Sequence, residues 1–112
     1  MKIKIDNKEL ELHYSFRMAL MYEQIQNKSI DFANLKMEDI VVLFFAAVVS
    51  TLQYNKIANT MKYEDFLNWL DDNGGEKILI EFTNWYVEQV QKQYDLMPES
   101  KNKSTEKPDP NV

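Results

Sequence analysis

The run Ile40-Val41-Val42-Leu43-Phe44-Phe45-Ala46-Ala47-Val48-Val49 constrains this chain more than any other segment. It is apolar on every side, so it cannot lie on a surface with one wet face; something must cover it all round. A transmembrane span needs about 20 apolar residues. This run is bounded by Glu38-Asp39 on one side and Ser50-Thr51-Leu52-Gln53 on the other, which makes it too short. A buried parallel strand would suit so β-branched a segment, but the alanine pair and the absence of turn residues before it favour a helix. The expectation is the central helix of a bundle, running to about Tyr54 and partly buried by a second subunit. Asn34 is positioned to cap it, with Glu38 and Asp39 in the first turn, where they favour the helix dipole.

The flanking segments supply the rest of one core. At the start, Met1, Ile3 and Ile5 alternate with Lys2 and Lys4. After Asp6-Asn7-Lys8, Leu10, Leu12 and Tyr14 alternate with Glu9, Glu11 and His13. Period two on both sides of a turn-forming triplet predicts a β-hairpin with lysines facing glutamates on its outer side. A lone hairpin is marginal in water and must lean on helices. Ser15 is a natural N-cap for a helix carrying Phe16, Met18, Leu20, Met21, Tyr22 and Ile25 and ending near Gln26 to Lys28. Ser29 to Asn34 forms a connector with Ile30 and Phe32 as anchors. Asn59 or Thr60 opens a third helix, Met61 to Asp72, with Tyr63, Phe66, Leu67 and Leu70 on one stripe. Asn73-Gly74-Gly75 ends it, and a fourth helix follows from Glu76 to about Tyr94. The predicted class is α+β: an N-terminal β-hairpin packed on about four α-helices, forming one domain over residues 1–96. Residues 97–112 hold all three prolines and almost nothing apolar, and are expected to form a disordered tail.

Composition excludes several kinds of function. With 18 acidic and 13 basic residues, a net charge of -5 is the wrong sign for a phosphate backbone or an anionic membrane surface. No cysteine is present, which removes disulfides, thiolate metal sites and thiol nucleophiles. The alternating N-terminus lacks the apolar run of a secretion signal, so a cytoplasmic site of action is expected and the sequons at Asn27 and Asn102 are read as chance. His13 has no second histidine or cysteine to join it, and is read as a surface strand residue in preference to a catalytic base or zinc ligand. Asp71, Asp72 and Glu76 lack calcium-loop spacing and are read as a solvated helix end. The many aromatics and methionines are read as core packing before a ligand pocket. With no phosphate loop and no nucleophile elbow, the expectation is a non-enzymatic protein without cofactor or metal.

The hairpin Lys2 to Leu12, followed by Phe16-Arg17-Met18-Ala19-Leu20-Met21-Tyr22-Glu23-Gln24-Ile25-Gln26-Asn27-Lys28-Ser29 and later by Tyr63-Glu64-Asp65-Phe66-Leu67-Asn68-Trp69-Leu70, resembles the tail assembly chaperones of long-tailed bacteriophages. The likeness spans nearly everything except the tail. It departs at Asn27, where the family often has glycine, but asparagine also tolerates left-handed backbone. The resemblance implies a short-form chaperone, made in the cytoplasm of the infected bacterium and absent from the finished virion. Its implied partners are the tape measure protein, tail tube subunits and further copies of itself. A small cytoplasmic adaptor or regulatory protein that binds one folded partner is the alternative reading.

Overall fold

The computed structural model describes residues 1–58 and 61–96. The expected tail and the proposed cap at Asn59 or Thr60 lie outside these residues. Strands β1 (Lys2–Ile5) and β2 (Lys8–Glu11) form an antiparallel hairpin that sets Lys2 opposite Glu11 and Lys4 opposite Glu9. Asp6 and Asn7 have φ of 51° and 63°, the doubly left-handed pair of a two-residue hairpin turn, so Lys8 belongs to the strand. The second strand is shorter than its alternation predicts. It ends at Glu11, because the chain must swing round to begin a helix at Phe16.

Helix α1 (Phe16–Gln26) starts as expected: the Ser15 hydroxyl accepts the Met18 N–H at 3.2 Å. It stops at Asn27, held left-handed at φ 56°. The connector carries a short 3-10 turn over Phe32–Asn34, started by Asp31, whose carboxylate accepts the Ala33 N–H at 3.1 Å. Ile30 packs against the core, and Phe32, though more than half exposed, stacks its ring on the buried Tyr86 at 6.2 Å, so both serve as anchors.

Helix α2 (Met37–Tyr54) is the hub. Its cap differs from expectation. Asn34 belongs to the 3-10 turn, and the helix begins instead after Lys36, whose N–H donates to the Asp39 carboxylate at 3.0 Å. Helix α3 (Tyr63–Asp72) uses the same device two residues later than the expected start: the Lys62 N–H donates to Asp65 at 3.0 Å. An acid at the third helical position that reaches back to the cap N–H is half of a capping box. Helix α4 (Glu76–Asp95) completes the bundle.

Every residue from Val41 to Leu52 is buried within the chain itself, so coverage of the apolar run requires no second subunit. Met37–Tyr54 is long and apolar enough to cross a membrane, yet 67 % of it is buried against the hairpin and the other helices. Phe44 sits at the centre. Its ring stacks on Phe82 of α4 at 4.4 Å and meets Phe66 and Trp69 of α3 edge-on at 5.1 and 5.9 Å. Hydrogen bonds tie the hairpin and the segment leaving it to this core: Trp69 Nε1 donates to the Lys4 carbonyl at 2.9 Å, and the His13 N–H donates to Thr51 Oγ1 at 2.9 Å.

Between α3 and α4, Gly75 adopts φ 52° and ψ -119°, a conformation closed to residues with a Cβ although nothing crowds the position. Gly75→Ala is therefore expected to cost about 1–2 kcal/mol of stability from backbone strain alone. A lowered urea midpoint at unchanged m-value would register it.

Candidate functional site

The residues weighed for chemistry do not assemble. His13 lies just beyond β2, half-buried and stacked on Tyr54 with ring centroids 4.0 Å apart. It is thus a packing residue and not the open strand residue its alternation suggests. Asp71, Asp72 and Glu76 are exposed, and no group of three acidic or imidazole side chains among the described residues comes together as a ligand set. Most of the aromatics form one connected ring cluster. From Phe44 it passes through Phe82 to Trp85 and Tyr86, and on to Tyr14 and Phe32.

One polar constellation escaped the sequence reading. Asp39 is buried at the start of α2 and draws three parts of the chain together. Its Oδ1 accepts from the Tyr22 hydroxyl at 3.1 Å, Gln26 Nε2 at 2.9 Å and Lys28 Nζ at 3.1 Å, while Oδ2 takes the Lys36 N–H. The Lys36 N–H is the largest influence holding the Asp39 carboxyl down at about 2; burial opposes it, and Lys28, Tyr22 and Gln26 add to it. Burial, reinforced by the adjacent carboxylate, pushes the Tyr22 hydroxyl up from its usual range. The signal available in the sequence was the recurrence of Lys-x-Glu-Asp in Lys36-Met37-Glu38-Asp39 and Lys62-Tyr63-Glu64-Asp65, the two helix starts. This carboxylate has all its nearby donors engaged, which suits a structural staple.

The exposed apolar surface gathers in two patches. One patch joins Phe16 and Leu20 of α1 to Tyr54 at the end of α2, around an open groove also lined by Ser15, Arg17 and Ser50. A second, larger one follows the outer face of α4. There Ile80, Val87 and Tyr94 are each more than half exposed, and Phe32 and Met37 flank them from the connector and the start of α2. Between Phe32 and α4 lies a narrow apolar cleft of about 130 Å³, floored by Leu43 and Phe82. A third cavity of about 340 Å³, between the hairpin and α3, mixes Ile5, Leu10 and Trp69 with Asp6, Lys8 and Asp65. The tail carries three lysines and three acids, so the whole excess negative charge belongs to residues 1–96, the part that bears the apolar patches. Searches against protein-family models, curated proteins and solved structures find no match to this chain.

Proposed function

We propose that this protein is a non-catalytic tail assembly chaperone of a long-tailed phage, coating the tape measure protein and helping to recruit tail tube subunits in the host cytoplasm. The observation that carries this reading is the pair of separate apolar patches on so small a chain, one on α1 with the end of α2 and one along α4. Exposed apolar area of this kind marks protein interaction surfaces. A coat needs two of them, one for the client and one for the neighbouring copy. A tape measure helix exposes apolar stripes until the tube closes around it, and an acidic binder keeps the covered assembly soluble. The Phe16, Leu20 and Tyr54 patch is assigned to the client.

Co-expression tests this directly. The tape measure protein is expected to stay soluble and co-purify with many copies of the chain, in a ratio that rises with tape measure length. Phe16→Glu with Leu20→Glu should abolish that protection. A tape measure protein that remains insoluble beside the unaltered chain overturns the reading, and a fixed one-to-one complex transfers it to the adaptor alternative.

A further inference from the structure

We propose that the outer face of α4 is a two-fold interface at which a second copy of this chain packs its own α4 antiparallel, centred on Val87. The outward stripe on this helix is Ile80, half-buried Thr83, Val87, Gln91 and Tyr94, with successive spacings of 3, 4, 4 and 3 residues. That order reads the same in both directions. When two such helices run antiparallel, residues equally distant from Val87 meet: Ile80 faces Tyr94 of the other copy, Thr83 faces Gln91, and Val87 faces Val87. Isologous contacts require this kind of self-complementarity. From Ile80 to Tyr94 the stripe runs about 21 Å at the rise of an α-helix. Its 3.5-residue period is that of a coiled-coil seam.

Two further observations select a second copy as the occupant. The first is area. Ile80, Val87, Tyr94, Phe32 and Met37 are each more than half exposed. At roughly 200 Å² for a fully exposed large side chain they offer on the order of 600 Å². Thr83, Val90 and Gln91 extend the same face toward the roughly 800 Å² per partner of a standard interface. Burying Thr83 leaves no orphan donor, because its hydroxyl already donates to the Leu79 carbonyl at 2.8 Å. The second is charge. Glu76 begins the helix at the end of the stripe, and beside the stripe α4 carries Lys77, Glu81, Glu88, Lys92 and Asp95. The antiparallel register brings Lys77 level with Asp95 of the other copy and Lys92 level with Glu81. The two Glu88 also approach near the axis in this register, but a parallel pairing would turn this charged edge toward the opposite edge of the other helix and form neither Lys–acid pair.

The contact rests on the coat reading and deepens it by making a closed dimer the unit that coats the client, yet it is measured on the purified full chain without any tape measure protein, so either idea can fail alone. Sedimentation should show a concentration-dependent dimer, and Val87→Glu, which sets two carboxylates against each other on the axis, should weaken it roughly a hundredfold. Because Val87 is exposed in the single chain, the thermal melt of that variant at low concentration should be unchanged. The chain has no cysteine of its own, which makes register directly readable. Under oxidation Val87→Cys should cross-link to itself, while Ile80→Cys should cross-link to Tyr94→Cys in a mixture and neither to itself. A monomer at several hundred micromolar, self-linking of Ile80→Cys, or a dimer broken by Phe16→Glu but not by Val87→Glu would each overturn the proposal.

Discussion

Phe44→Ala is expected to lower the melting temperature by about 20 °C. Phe44 is fully buried and is the one ring that touches both α3 and α4 from the hub helix, through Phe66, Trp69 and Phe82. Removing a core phenylalanine costs about 3–5 kcal/mol, from lost transfer energy and from the cavity left behind. Each kcal/mol moves the midpoint of a domain this size by about 4–8 °C. Since whole domains are stable by only about 5–15 kcal/mol, such a loss leaves little margin. Thermal denaturation followed by circular dichroism measures it. The matched control is Phe16→Ala: the same truncation at a position 77 % exposed should stay within about 0.5 kcal/mol.

The second large effect belongs to Asp39. Asp39→Ala strips the acceptor from the buried Tyr22 hydroxyl, from Gln26 and from the Lys36 N–H at once, and also removes the cap of α2. A loss of about 3 kcal/mol is expected, because hydrogen bonds to a charged group are worth about 1.5–3 kcal/mol and donors left unpaired in the interior add to the cost. The same carboxylate gives stability a predictable acid limb. Its folded value of about 2 lies below its ordinary 3.8, so the folded state favours the ionised form. Its contribution is therefore complete above about pH 4 and drains away as pH falls toward 2. Urea melts between pH 5 and 2 should show a slope that flattens in Asp39→Ala. An unchanged slope would mean that other carboxylates set the acid limb.

Periodicity made most of the architecture legible. The hairpin register follows from two alternating runs and a left-handed pair at Asp6 and Asn7, and α4 keeps a clear 3.6-residue stripe from Leu79 to Tyr86. Ser15 was readable because a hydroxyl at a helix start has one common use. The starts of α2 and α3 were not readable in the same way, since their cap residue is a lysine and the capping group is an aspartate three positions on. A search for Ser, Thr, Asn or Asp at the cap itself therefore points to Asn34 and misses Asp39. The coverage of α2 by its own chain was equally hidden. It depends on tertiary packing of Phe66, Phe82 and the hairpin leucines, which no local pattern encodes. The α1 and α4 patches were invisible for a related reason: Phe16 reads with the other apolar residues of its helix, and nothing local marks Ile80 or Val87 as a bare face until the fold shows which side of each helix is left uncovered.

The Asp39 staple has one further consequence, for the cost of binding. Phe32 stacks on Tyr86 at 6.2 Å, and the connector that carries it is held at its far end where Lys36 donates to Asp39. The side chains flanking the α4 face are thus ordered when the chain folds and do not wait for a partner. Immobilising a free side chain on association costs about 0.5–1.5 kcal/mol each. A face whose loop is already fixed avoids much of that charge, so a modest apolar area can support association that a floppier loop of identical composition could not.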